Sequence, residues 1–312
     1  MDLISDILSR LQMVGTLYFR TSFTAPWSIG VPSFENVARF HFVHKGRCLV
    51  RVKRSKAPVI LEQGDLIIIT KGAAHTLFCD LQTEVPVTML DQVVEQSGFT
   101  GSGALVYGEL GADHETQLVC GHFAFADDAK NLLIDSLPSH IHIRNYGEAA
   151  GNWMENTLKL IGTEAGREKM GGDLIAMKMS EIIFVQALRA YIQSTGSDKP
   201  VLAGFADPKL SRALAAIHKE PGKSWTLESL SEIAGMSRTT FSNRFSELMT
   251  VTPLSYITDW RMQIARQLLS ETETPIIQIA KEVGYQSEAA FSRVFKKYAN
   301  AAPASYRRAA RR

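Results

Sequence analysis

The chain has 312 residues, 45% of them hydrophobic, with 34 Lys and Arg against 32 Asp and Glu; that length is more than one core usually accommodates, so two domains are expected. Neither a secretory leader nor a membrane span is expected, because MDLISDILSRLQM carries Asp2 and Asp6 and lacks an apolar core, and no apolar run nears the roughly 18 residues of a span. The charge divides unevenly: residues 201–312 hold 16 Lys and Arg against 10 Asp and Glu, a net +6, whereas residues 1–200 hold 18 against 22, a net −4. A basic half supplies what phosphates attract, and an acidic half does something else. Cys48, Cys79 and Cys120 form neither a zinc spacing nor an even disulfide set, which places the chain in a reducing cytoplasm.

In chain order, Leu3, Ile4, Ile7, Leu8 and Leu11 fall on one face of a short helix over residues 3–13, expected to cover a sheet. From Gly15 the texture turns to short β-rich runs, namely VARFHFV, CLVRVKR, PVILEQ, DLIIIT, HTLFC, ALVYGEL and TQLVCGHFAF, separated by Gly, Pro and charge. An all-β barrel or sandwich follows. Gly64, Thr70, Gly72, His75 and Cys79 lie at the spacing of the second cupin motif, and VHKG, ending at Gly46, resembles the close of the first. The position seven before Gly46, where metal-binding cupins carry a Glu ligand, is Arg39, and no His-x-His pair precedes it. The resemblance therefore implies a sensory cupin with no metal, no cofactor and no catalytic residue. By strand parity Arg39 and His41 share a face, as do His75 and Cys79. Arg39, His41, His75, Cys48 and Cys79 are the candidates for meeting a small-molecule or oxidant effector, with Cys79 first and Cys48 second as a redox-active thiol whose pKa cationic neighbours would lower.

A polar connector with a helix around Trp153 to Ile161 is expected next, and then DLIAMKMSEIIFVQALRAYI, at about 173–193, is apolar round most of its circumference. STGSDKP closes this region as a linker. Beyond it one pattern occurs twice: Leu230, Ser231, Gly235, Phe241 and Phe245 are answered by Ile279, Ala280, Gly284, Phe291 and Phe295, offset by 49 residues before the turn and 50 after. Each copy reads as two helices round a glycine turn, a helix-turn-helix unit. With the phenylalanines inward, helical spacing exposes Arg238, Thr239, Ser242 and Asn243 in the first copy and Ala289, Ser292, Arg293 and Lys296 in the second.

TDWRMQIARQLL, then IAKEVGYQSEAAFSRVFKKY and SYRR, resemble the DNA-binding domain of the AraC/XylS transcription regulators, and FTAPWSI, GRCLV, GDLIIITKGAAH and CGHFAF resemble the cupin domain of one subgroup, some of whose members are similar to regulators responding to reactive chlorine or other oxidants. The resemblance implies base contacts from Thr239, Ser242, Asn243, Ala289, Ser292 and Arg293, phosphate contacts from Arg238, Arg261, Lys296, Lys297, Arg307 and Arg308, and a homodimer paired through the helix at 173–193. It further implies double-stranded DNA as partner, RNA polymerase where the protein activates, and no membrane. The expected architecture is thus a two-domain chain: an all-β cupin over 1–146, a connector with its dimerisation helix over 147–200, and an all-α domain with two helix-turn-helix units over 201–312. The rival readings are a cupin metalloenzyme carrying a DNA-binding domain and an effector-independent DNA-binding protein.

Overall fold

The structure is a computed structural model describing residues 3–9, 13–53, 55, 57–80, 85–101, 104–108, 115–125, 132–145, 170–195 and 200–310. The helix expected around Trp153 to Ile161 lies outside them. The chain forms two compact units, one of residues 13–127 and 137–194, the other of residues 1–12, 128–136 and 195–312.

In the first unit eleven strands are described: β1 (Val14–Thr24), β2 (Ser28–Val31), β3 (Val37–Lys45), β4 (Cys48–Val52), β5 (Val59–Leu61), β6 (Leu66–Ile69), β7 (His75–Phe78), β8 (Thr88–Met89), β9 (Ala104–Tyr107), β10 (Glu115–Ala124) and β11 (Ile141–Ile143). They build two sheets, in the orders β11-β6-β3-β10-β1-β9 and β5-β4-β7-β2-β8. Alternation along each strand sends one set of side chains between the sheets, and these form a core of Phe23, Trp27, Ile29, Val43, Val50, Ile67, Ile69, Leu77 and Leu118. A short helix, α2 (Leu90–Ser97), sets Val93 into the same core.

The opposite face of the six-stranded sheet is apolar too, and helix α4 (Gly172–Thr195) lies on it; α3 (Leu132–Ser136), which precedes it, belongs to the other unit. Phe184 of α4 meets the Phe123 ring at 4.9 Å between centroids and Phe125 at 5.8 Å, and Phe123 stacks on Phe40 at 5.1 Å. The helix comes close enough that a Cβ on Gly15 would lie 2.9 Å from Ser180 Cβ. One face of α4, carrying Ser180, Ile183, Phe184, Ala187 and Leu188, is therefore core, while Leu174, Ile175 and Ile182 on the rest remain 58%, 43% and 43% exposed.

The second unit is helical: α5 (Pro200–Ala206), α6 (Leu210–Lys219), α7 (Leu227–Ala234), α8 (Arg238–Met249), α9 (Pro253–Glu271), α10 (Ile276–Glu282), α11 (Glu288–Ala299) and α12 (Pro303–Ala310). It also takes in α1 (Leu3–Ser9) and α3. This corrects the expectation that the first helix covers the sheet. Its Asp6 Oδ2 accepts a hydrogen bond of 2.8 Å from His218 Nδ1 on α6, and His218 Nε2 lies 2.7 Å from the Tyr256 hydroxyl on α9. The imidazole stacks on Trp260 at 3.7 Å between centroids. Ile7 and Leu8 are buried, as the amphipathic pattern expects, but within the helical unit and not against a sheet.

Removing the Phe184 ring leaves a void between α4 and the sheet, so Phe184→Ala should cost about 3–5 kcal/mol of unfolding free energy. Urea denaturation followed by circular dichroism measures it; a loss under about 1 kcal/mol would mean that the helix is not part of the core.

Candidate DNA interface and barrel interior

The helical repeat is a repeat of physics as well as of letters. Gly235 and Gly284 adopt φ of +63° and +86°, the left-handed region that side chains avoid, and after each the chain turns back with Met236 N–H on Ser231 O and Tyr285 N–H on Ala280 O. Ser237 and Ser287 then cap α8 and α11, their hydroxyls accepting from Thr240 N–H and Ala290 N–H. Phe241 and Phe245 lie 5.6 Å apart, as do Phe291 and Phe295. Against each pair a tyrosine stands edge-on, Tyr256 at 74° to Phe245 and Tyr306 at 77° to Phe295.

With those rings inside, one stripe of each helix faces out. On α8 it holds Thr239 and Asn243, both exposed, and Ser242, partly buried; on α11 it holds Ala289 and Arg293, both exposed, and Ser292, partly buried. These are the six positions expected from sequence to meet base edges. Arg238 and Lys296 flank them at the surface, Arg238 in a 2.7 Å ion pair with Glu228 whose side chains are 64% and 57% exposed. Such a pair is weak, and a phosphate can compete for the guanidinium.

Arg261 has a structural task within the unit. Its Nε donates to Pro221 O at 2.8 Å and its Nη2 to Lys223 O at 2.8 Å, and its guanidinium lies within 2.9 Å of where a Cβ on Gly284 would be. It ties α9 to the loop before α7 and to the second turn, and so acts as a brace. A second brace had no signal in the sequence: Arg244 of α8 donates from Nε to Asp207 Oδ2 at 2.9 Å. Burial pushes the Asp207 carboxyl up, but hydrogen bonds from Leu210 N–H, Arg244 and Lys209 N–H outweigh that and hold it below its ordinary value.

Inside the barrel the structure brings Arg39, His41 and His75 together. His41 Nε2 and His75 Nε2 are 2.8 Å apart, His75 Nδ1 is 2.9 Å from Ala73 O, and His41 Nδ1 is 3.1 Å from Cys120 Sγ. One assignment of protons satisfies all three contacts. The Ala73 carbonyl only accepts, so His75 Nδ1 carries its proton and His75 Nε2 accepts from His41 Nε2–H; His41 Nδ1 then accepts from the Cys120 thiol. The line is uncharged. Burial holds His41 well below its ordinary value, helped by His75 and Arg39, and burial takes His75 down to about 4 against the opposing bond to Ala73. The Arg39 guanidinium, 4% exposed and 4.4 Å from the Phe34 ring, acts on His41, His75 and Cys120 alike.

The cysteines differ from expectation. The thiol that touches the histidine line is Cys120, pushed up to about 12 by burial despite Arg39. Cys48 is fully buried and its thiol is raised by burial first and by Cys120 next, so the lowered pKa expected of a redox-active Cys48 is not there. Cys79 accepts from Trp27 N–H at 3.3 Å. Strand pairing explains the missed residue: His41 and Cys120 sit opposite each other in the β3–β10 ladder, a cross-strand neighbour invisible along the sequence.

A cupin family model matches residues 2–193 and a helix-turn-helix domain model matches residues 230–309. A putative AraC-like transcription regulator of Streptomyces antibioticus is 30% identical over 99% of both chains. The chain belongs to the AraC type of transcription regulator. The regulator AlkR of Acinetobacter baylyi is 35% identical over 78% of this chain and 79% of its own, and the RCS-specific activator RclR of Escherichia coli 26% identical over 97% of each. This AraC-type regulator is thus a DNA-binding protein whose β-rich unit is a cupin and whose helical unit carries the helix-turn-helix pair. None of its described helices is long and apolar enough to cross a membrane.

The depressed histidine makes the regulator's cupin sensitive to acid. Between pH 6.5 and about 4 the unfolded chain takes up a proton at His75 that the folded chain refuses, so this share of stability is complete above the unfolded value and is lost as pH falls toward the folded one. It amounts to about 3 kcal/mol. Denaturant midpoints should fall between pH 7 and pH 5, less steeply in His75→Gln; an equal fall in the variant would place the titration elsewhere.

Proposed function

We propose that this regulator reads two successive major grooves of one DNA site with α8 and α11, works as a homodimer paired through α4, and is switched by an effector at the Arg39, His41 and His75 wall of its cupin. The observation that carries the groove reading is the repeat of one exposed stripe at 50-residue spacing on two identically capped helices. The 19-residue α9 between them is roughly 28 Å long, the right order for units meeting grooves about 34 Å apart. Arg293 pairs bidentately with guanine and Asn243 with adenine, while Thr239, Ser242, Ala289 and Ser292 make smaller contacts. Arg238 and Lys296 position the protein on phosphates. Where it activates, the bound dimer recruits RNA polymerase.

For the effector, a guanidinium 4% exposed among neutral imidazoles supports a small ligand bearing negative charge. Oxidation is the second reading, favoured by the 3.1 Å contact between Cys120 and His41 and by the name of RclR as an RCS-specific activator. Two variants separate them in a reporter strain. Arg39→Gln should abolish induction by the ligand and Cys120→Ser should leave it intact; the reverse pattern under hypochlorite would decide for oxidation.

On a mapped binding site Arg293→Ala should weaken affinity by about 1–3 kcal/mol and relax preference at one base pair, with little change on random DNA in fluorescence anisotropy. An equal loss on both would make Arg293 a phosphate contact. A charge on the open side of α4 tests the pairing: Ile182→Glu sits on the solvent face of a helix whose other face holds the barrel, so it should give folded monomers in sedimentation, since a two-fold interface meets the charge twice. A folded dimer would move the interface off α4.

A further inference from the structure

The two reading helices share turn, cap and ring pair, yet Arg244 on α8 is matched on α11 by Val294, a side chain that can form no ion pair. Arg244 donates to Asp207 Oδ2 from both Nε and Nη2, the first bond at 2.9 Å. The other oxygen, Asp207 Oδ1, accepts from Lys209 N–H and Leu210 N–H, both at 2.9 Å, and so caps the start of α6. The Asp207 side chain is 5% exposed and that of Arg244 50%. A charge-assisted pair whose carboxylate is buried and engaged at both oxygens holds its geometry where an exposed pair would not.

Asp207 lies between α5 and α6, and α5 also meets the far end of α8: a Cβ on Gly204 would come within 2.5 Å of Met249 Sδ and 3.3 Å of Leu248 Cβ. Arg244 directly follows Asn243 and projects about 100° further round the helix. It therefore grips α8 on a flank, beside the stripe that faces out and away from the buried rings. Those rings decide which face turns outward. Base recognition asks for more, placement within about 0.5 Å and 10–20°. On the groove reading above, on which this rests, we propose that Arg244 is a positioning residue. Bound to Asp207, it sets the roll of α8 against α5 and α6, so base preference in the half of the site read by α8 depends on this ion pair and preference in the half read by α11 does not.

Fluorescence anisotropy on the full chain tests this, with a mapped site, copies of it carrying single base-pair changes in either half, and random DNA. Asp207→Asn removes the charge and still caps α6, because Asn caps as well as Asp. Arg244→Val copies α11, and at a half-exposed position it keeps the test open should the cap variant fold poorly in circular dichroism. Each should cut discrimination against changed base pairs in the α8 half by about five-fold or more, leaving the α11 half and random DNA within about two-fold. Arg244→Lys, which keeps the charge and loses the fork, should behave like Arg244→Val. Asn243→Ala separates the ion pair from the groove reading. If Asn243→Ala relaxes the α8 half and the ion-pair variants do not, the positioning role falls alone; if Asn243→Ala leaves that half unchanged, the groove reading falls and the positioning role with it. Equal relaxation of both halves, equal loss on random DNA, or full recovery with lysine would also overturn the proposal, the last two by making Arg244 a phosphate contact.

Discussion

Each reading helix is held by a wedge of three rings: two phenylalanines one helical turn apart, and a tyrosine set edge-on against the second of them. Burying a phenylalanine contributes about 1.5–3 kcal/mol, and edge-to-face contact adds a directional preference. The direction matters more than the energy. With the rings pinned, the opposite stripe of the same helix has nowhere to point but outward, so the identity of the groove-facing residues is decided by what is buried behind them. Substitution on the stripe can then change which bases are preferred without changing how the helix stands, and that separation lets one scaffold serve many sites.

The two copies share the wedge and differ in what the tyrosine hydroxyl does. Tyr256 meets His218, which is itself bound to Asp6, whereas Tyr306 accepts from Arg266 Nε at 3.0 Å. The first unit is thereby knitted to the start of the chain and the second to the helix between the copies. In the cupin the equivalent problem, a pair of polar rings in a dry interior, is solved by neutrality: every nitrogen of the His41 and His75 pair that faces a partner has a proton or receives one, so neither ring brings a charge that has to be desolvated.

Much of this was legible in the residues. Runs such as CLVRVKR and DLIIIT announce strands because alternation or unbroken β-branched character leaves little alternative, and the glycine and phenylalanine repeat announces the paired helical units. β1 was not legible, since VGTLYFRTSFT mixes Thr, Ser and Arg into a strand whose right to be there comes from β10 and β9 on its two sides. Arg261 was legible as a cation near the reading units, but nothing along the sequence shows the carbonyls of Pro221 and Lys223 that it binds, 40 and 38 residues away. Parity within a strand gave the face shared by Arg39 and His41; it could not give Cys120, which depends on the register between strands 79 residues apart.

The pairing of Val14 with Ala124 marks the end of the β1–β10 ladder, and the chain on both outer sides of it, through α1 and α3, belongs to the helical unit. The helical unit therefore draws on chain beyond the segment that starts near residue 200. A fragment cut there keeps both helix-turn-helix units and still loses Asp6 from His218 and Ile7, Leu132 and Leu133 from beside Tyr256 and Trp260. Moved to another sensor as that contiguous piece of gene, the unit would arrive without these contacts, because part of its packing is encoded before and within the sensor it would leave behind.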